Sequence, residues 1–339
     1  MSWKRLAKPV ALLAVLLVVW VAGAYGPLAG YVQAVKQGLP EERIGLADAD
    51  TDGLSLRKWV EKEAAKRSIA PSNAVIDRVW KAIPGYAGRE VDVEATYARA
   101  QSAGLTPDAA NFPWVYRNVP PAVGLDDLPL APIYRGNPAK RMVALMINVA
   151  WGDEYLPDML ETLDAEKVKA TFFLDGSWLA KHRDTAKDLL ARGHELSNHA
   201  YTHPNMSRLN DDRQRLEIDR TEQLLRELGV QNRWFAPPSG DYDDRTVKAA
   251  GGLGLRTVLW TLDTVDWKHP PPSSVIAKIS AQIGPGQLVL MHPTPTTRQA
   301  LKGIIEAIRA KELALGTVSD TLSETRTERQ EQGQTMIES

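Results

Sequence analysis

Ala170-Thr171-Phe172-Phe173-Leu174 is a short apolar run of β-type residues, and after Asp175-Gly176 it gives way to the helical segment Trp178 to Arg192. A strand that leads at once into a helix is a βα unit, and the unit recurs. Strand-like runs at Met142 to Ile147, His194 to Asn198, Trp234 to Ala236, Arg256 to Trp260, Gln287 to Met291 and Gly316 to Val318 alternate with further helical segments. These helices are read at Glu154 to Glu166, Asp211 to Leu228, Arg245 to Ala250, Ser274 to Gln282 and Thr297 to Lys311. The pattern predicts an α/β fold, a distorted (β/α) barrel of about seven parallel strands over residues 142–322, with function at the C-terminal strand ends.

Upstream of the barrel the chain changes character several times. Lys4, Arg5 and Lys8 precede an uncharged run from Pro9 to Val35, which reads as an export signal or membrane anchor over residues 1–35. It is either cut at Ala22-Gly23-Ala24 or kept, since the run is long enough for a bilayer span of about 20 residues. The rest of the chain is therefore expected outside the cytoplasmic membrane.

Residues 36–73 form a polar linker with a helix near Leu56 to Lys66. Ahead of that helix, Asp48-Ala49-Asp50-Thr51-Asp52-Gly53 copies the first half of a calcium loop. Trp59 stands where the closing Glu is needed, so the stretch reads as an acidic turn capping the helix. A small α/β domain is expected over 74–119 and a Pro-rich linker over 120–141, while 323–339 reads as a disordered polar tail. Within the small domain, Ile83 to Val93 loosely resembles modules found beside cell-wall enzymes and assigned there to peptidoglycan binding.

Composition narrows the chemistry. The 41 basic and 42 acidic residues nearly cancel, so no global field draws the chain to nucleic acid. With no cysteine, any metal must be held by His and carboxylate. Among the histidines, His182, His194 and His269 adjoin charged or Pro-rich sequence and read as solvated. His199 and His203, by contrast, sit at H-x-x-x-H spacing directly after a strand, where two imidazoles can converge on one ion. Other strands lead into Asn148 to Gly152, Ala236 to Gly240, Asp263 to Trp267 and Leu290 to Pro293, all on the same barrel face.

Taken together, Lys169-Ala170-Thr171-Phe172-Phe173 with Gly176, Gly193-His194-Glu195-Leu196, Asn198-His199 with His203-Pro204, Pro237-Pro238-Ser239-Gly240 and Asp263 to Trp267 resemble the NodB-homology polysaccharide deacetylases of the fourth carbohydrate esterase family. The resemblance runs from about Met142 to Leu322, and Met146 to Gly152 is similar to the YlxY-type, sporulation-associated branch. It implies metal-assisted hydrolysis of N-acetyl groups on a cell-wall glycan, with a divalent metal, usually zinc. It places His199 and His203 as metal ligands, His292 as general acid, Asp266 as the carboxylate orienting it, and the Ser239 N–H as an oxyanion donor. It also places Trp267, Pro238, Tyr242 and Leu290 on the substrate-binding surface.

Four departures cut into that expectation. Counting back from Lys169 puts Asn148 at the catalytic base and Val149 at the metal-binding Asp. Asn cannot take a proton, and Val donates no lone pair. Ala236 replaces the Arg that supports the base, and Pro293 follows His292 where an Asp is often found. Asp153 and Glu154 lie just past the first strand as acids able to substitute, although Asp153 reads better as the cap of the helix beginning at Glu154. The sequence thus supports two readings: an extracytoplasmic deacetylase with an atypical site, or a catalytically inactive glycan-binding relative.

Overall fold

The computed structural model describes residues 51–326. The expected signal or anchor, the first part of the polar linker with Asp48 and Asp50, and the tail beyond residue 326 lie outside the described residues. Among the described residues no helix is long and apolar enough to cross a membrane.

The described residues divide into two units. The first holds helix α1 (Thr51–Arg67) and helix α2 (Val93–Ser102). Its core is Leu56, Val60 and Ala100, with Trp59, Phe112 and Trp114 packed against them. Asp92 caps α2 by accepting a hydrogen bond from the Ala95 N–H at 2.9 Å, which explains why the helix starts there.

The second unit takes residues 68–90 and everything from 116 onward. The stretch expected as one small domain over 74–119 is therefore shared between the units. Strands β1 (Val75–Asp77) and β2 (Lys81–Ile83) form an antiparallel hairpin in this second unit, followed by β3 (Gly88–Val91) and β4 (Tyr116–Val119).

The barrel begins with β5 (Met142–Val149) and helix α3 (Leu156–Ala165), then β6 (Thr171–Leu174). The helix expected from Trp178 to Arg192 is two, α4 (Gly176–Lys181) and α5 (Arg183–Ala191), because His182 leaves helical geometry between them. There follow β7 (Glu195–Asn198), α6 (Asp211–Glu227), β8 (Trp234–Phe235), α7 (Asp244–Gly251) and β9 (Arg256–Thr257). The chain closes with β10 (Leu262–Asp263), α8 (Pro272–Gln282), β11 (Leu288–Met291), α9 (Pro295–Arg309), β12 (Ala314–Gly316) and α10 (Val318–Leu322).

Seven parallel strands run in the order β10-β11-β5-β6-β7-β8-β9, with β12 also paired to β5. Every residue of β5 is buried, as expected of a central parallel strand covered on both faces. One face, with Val143, Leu145, Ile147 and Val149, packs under helices α3 and α9. The other, with Ala144 and Met146, meets Phe173, Trp234, Val258 and Leu288 inside the curl of the sheet.

The sheet does not close on itself, since β9 and β10 are unpaired ends of the path. The expected linker fills this seam. Ile133 donates to the Thr257 carbonyl at 2.9 Å and accepts from the Leu259 N–H at 2.8 Å, while Gly136 donates to the Gly286 carbonyl at 2.7 Å. Unpaired edge amides buried at such a seam would each be costly, and the segment supplies their partners.

Residues 323–326 are not the disordered tail that their polarity suggested. The Glu324 carboxylate accepts hydrogen bonds from the Gly85 and Leu125 amides, each at 2.8 Å, and Arg326 Nε donates to the Ala87 carbonyl at 2.7 Å. The charges in this stretch have fixed partners, which composition cannot reveal. His194 likewise departs from its expected solvated state. It is buried, edge-on to Phe172, and its Nδ1 accepts from the Ala170 N–H at 3.2 Å.

Candidate functional site

The C-terminal strand ends surround a cavity of about 370 Å³ lined by Asn148, Ala150, Trp151, His199, His203, Ser239, Trp260, Asp263, Trp267, Leu290 and His292. Asn148 reaches it because strand alternation puts it on the inner face with Met146. Its buried Oδ1 has no hydrogen-bond partner among the described residues. Val149 leaves the strand on the other face, fully buried in the apolar layer under the helices, and does not line the cavity.

His199 is held by its own loop and by β8. Its Nδ1 lies 2.7 Å from the Ala236 carbonyl, which can only accept, so Nδ1 carries the proton and Nε2 keeps a free lone pair. Burial pushes its pKa down to about 3, leaving a neutral ring. The His203 ring sits 5.1 Å away at 73°. Burial also lowers the His203 pKa, partly opposed by the negative charge of Asp175.

Helix α6 explains how the loop keeps this shape. Ala200 and His203 both adopt left-handed backbone angles, φ 60° and 55°, which costs energy for residues other than glycine. Glu217 accepts from the Tyr201 and Thr202 amides at 3.1 and 2.7 Å, and Thr221 Oγ1 donates to the Ala200 carbonyl at 2.8 Å. The Asn198 amide donates to Glu222 at 2.7 Å and accepts from the Ala200 N–H at 2.8 Å. These bonds hold the strained turn in place.

On the opposite wall, His292 Nδ1 lies 2.8 Å from Asp266 Oδ1, and the His292 amide donates to Asp266 Oδ2 at 2.6 Å. Thr297 Oγ1 also donates to Asp266 Oδ2. Burial alone would raise the Asp266 carboxyl, but the hydrogen bonds and charge of His292, with Thr297, outweigh it and hold the group below the usual carboxylate range. Trp151 stacks on the His292 ring at 5.9 Å and 7°. Gly152 is needed beside it: its φ is +81°, and a Cβ there would stand 2.1 Å from the Pro293 carbonyl oxygen.

The structure thus brings Asn148, His199, His203, Ser239, Trp267, Leu290 and His292 together, with Asp266 buried behind His292. It does not bring Val149, Asp153, Pro238 or Tyr242 to the cavity lining. Asp153 is exposed and starts a 3-10 turn whose N-cap, Gly152, offers no side-chain bond, so it is not the helix cap expected from its position. Pro238 is buried, and the Tyr242 hydroxyl is 2.9 Å from that of Tyr134.

Sequence reasoning assigned no role to Trp151, Trp260 or Asp263, although each stands in a strand-end segment. It also passed over Asp175. This buried carboxylate caps α4 through Oδ1, while its Oδ2 has no hydrogen-bond partner among the described residues. Asp175 directly follows the strand read at Ala170 to Leu174, and that place at a strand end was the available signal; in the fold Leu174 pairs with both Val149 and Asn198.

The donor set does not fit the divalent metal implied by the resemblance. Catalytic sites of this kind take three protein ligands and an open position. Here two imidazoles meet an amide and a core-facing valine, and among the described residues no group of three or more His, Cys, Asp or Glu could hold a metal ion.

Known proteins share this architecture. The polysaccharide deacetylase family model matches residues 135–258. The uncharacterized protein YlxY of Bacillus subtilis is 43% identical over 266 residues, 78% of this chain and 82% of that protein. A peptidoglycan-N-acetylglucosamine deacetylase of Bacillus cereus is 34% identical over 170 residues, 50% of this chain and 61% of that protein. Among solved structures, a CE4 family pseudoenzyme from Bacillus anthracis is 42% identical, with a TM-score of 0.74, over 80% of this chain and 96% of that one. A mutant of that pseudoenzyme with restored enzymatic activity gives the same TM-score at 41% identity, covering 80% of this chain and 99% of the mutant.

Proposed function

We propose, from the fact that this chain belongs to the polysaccharide deacetylase family, that it is a cell-wall glycan-binding protein which has lost metal-assisted hydrolysis of acetamides. The observation that carries the reading is the pair at the end of β5. Asn148 faces the cavity where a general base is needed, and Val149, at the position of the third metal ligand, faces the core instead of the cavity. Loss of a general base alone removes about 10² to 10⁴ in rate. The similarity to a pseudoenzyme of the same family supports the reading, and the deacetylase relative named for peptidoglycan N-acetylglucosamine supports the choice of glycan.

A second reading, a deacetylase working through an altered site, is favoured by one observation. His292 keeps a doubly bonded Asp266 behind it, an arrangement suited to holding a proton donor toward a substrate. The uncharged run Pro9 to Val35 supports a location outside the cytoplasmic membrane, anchored or released, and a link to sporulation rests on the YlxY resemblance.

Zinc content and acetate release of the purified chain on chitooligosaccharides and peptidoglycan separate the two readings. Absence of both, with retention on insoluble peptidoglycan, is expected. Stoichiometric zinc together with acetate release that His203→Ala abolishes would establish the enzyme instead.

A further inference from the structure

We infer that the end of the hairpin formed by β1 and β2 docks into the surface of the lipid bilayer that anchors this chain, with Ile76, Val79 and Trp80 entering the interface and Arg78 and Lys81 meeting the headgroups. The inference rests on the anchored form of the location proposed above and adds a second point of attachment.

Seven large apolar side chains stand exposed among the described residues, and three of them, Val75 at 48%, Ile76 at 50% and Val79 at 60%, fall in this one hairpin. None of the three lines the cavity. Single exposed apolar residues are ordinary, whereas a cluster marks a surface that something covers. The turn itself does not require them. Its shape is set by Asp77, whose Oδ1 accepts hydrogen bonds from the Val79 and Trp80 amides, both at 2.7 Å. Those amides belong to the backbone, so a polar residue at position 79 would serve the turn as well.

The neighbouring charges point to lipid. Arg78 and Lys81 are exposed on either side of Val79 and Trp80, and the Arg135 guanidinium stands 5.7 Å from the Trp80 ring. Asp77 is the one acid of the hairpin, and its charge lies near Arg135. An apolar tip with a tryptophan between basic residues matches an anionic bilayer surface: the aliphatic groups enter, the indole sits at headgroup level and the cations face phosphate. The chain between Val35 and Val75 is short, and 17 of its residues are helix α1. An anchored chain therefore presents the hairpin to its own bilayer at high effective concentration, so a weak contact suffices.

The chain has no cysteine, so a single Val79→Cys can carry an environment-sensitive nitrobenzoxadiazole label in the full chain, reconstituted into vesicles of phosphatidylglycerol and phosphatidylethanolamine. The same label at Lys302→Cys, an exposed position on α9, is the reference. Flotation with the vesicles reads the anchor, and emission reads the hairpin. The label at 79 is expected to shift to shorter wavelength and to be quenched by brominated lipid, while the label at 302 does neither. Ile76→Asp should abolish the shift, and Arg78→Gln with Lys81→Gln should lower the ratio of docked to free hairpin by about five-fold for each charge removed. A chain that floats while the label at 79 stays unshifted, or responds just as the label at 302 does, overturns the inference and leaves the anchor standing. A chain that does not float overturns both. A shift that grows with the number of chains per vesicle and is not quenched by brominated lipid assigns the hairpin to a second copy, and overturns the inference as well.

Discussion

Asn148 and Val149 are consecutive residues of one strand whose side chains leave it on opposite faces, the first into the cavity and the second into the apolar layer beneath α3 and α9. The two residues that stand where the family resemblance implies acids therefore have different physical consequences. Replacing them should do so too.

Asn148→Asp adds a carboxylate on the cavity side and should raise zinc affinity above that of the wild type, as titration calorimetry would read. Val149→Asp alone buries a charge among apolar side chains and should cost about 3 kcal/mol or more of stability. Zinc should recover part of that loss in the double variant, because coordination gives the carboxylate a reason to leave the core. Urea denaturation with and without zinc checks this. A double variant that gains neither zinc affinity nor stability would mean that the pocket has diverged beyond its two missing acids.

Removing Asp266 should disturb the opposite wall. Asp266→Ala leaves the His292 amide and the Thr297 hydroxyl without their acceptor, at a cost of about 1–3 kcal/mol for each buried group left unpaired. The His292 ring loses its support, so Trp151 emission should shift as the stacked pair loosens. An unchanged urea midpoint with unchanged emission would show that the carboxylate is dispensable.

The buried imidazoles predict an acid-side loss of stability. His194 has an ordinary pKa of 6.5, and burial lowers it to about 4 in the fold, while that of His199 falls to about 3. Unfolded, both rings take up protons that the native state refuses. Their contribution is fully present above pH 6.5 and is lost as pH falls toward the folded values. The slope should approach about 1.4 kcal/mol per pH unit for each ring. Chemical denaturation from pH 7.5 to 4.5 measures it, and His194→Gln should remove about half. A flat profile would mean that both rings protonate freely in the native state.

Glu324 should matter although it lies beyond the last helix. Glu324→Ala strips the Gly85 and Leu125 amides of their acceptor, and the expected loss is about 1–3 kcal/mol. A disordered tail would tolerate the change, so an unaltered denaturation midpoint would restore the reading taken from polarity alone.

Much of this was legible in the sequence because it is periodic or local. The apolar runs from Met142 to Met291 give parallel strands where alternation with helices requires them, and the H-x-x-x-H spacing brings His199 and His203 together. One two-residue strand was harder. Leu262–Asp263 is too short to show a period, and the sequence pattern marks no separate strand there. Which face a residue takes was also hidden at the end of β5, since Asn148 and Val149 look alike as missing acids until strand alternation separates them. Long-range partners left no local trace: nothing near Glu324 points to Gly85, and nothing near His194 foretells its burial against Phe172.

The segment around Ile133 and Gly136 has a consequence for the order in which the molecule can be made. It leaves the ribosome before any of the strands it joins, and its partners at Thr257, Leu259 and Gly286 are among the last of the sheet to appear. During synthesis the early strands can pair in sequence, yet the seam stays open until nearly the whole sheet exists. Completion of the fold is thus a late, non-local event of the kind that slows folding. A fragment beginning at Met142 would never reach it, and would carry two raw strand edges into solution.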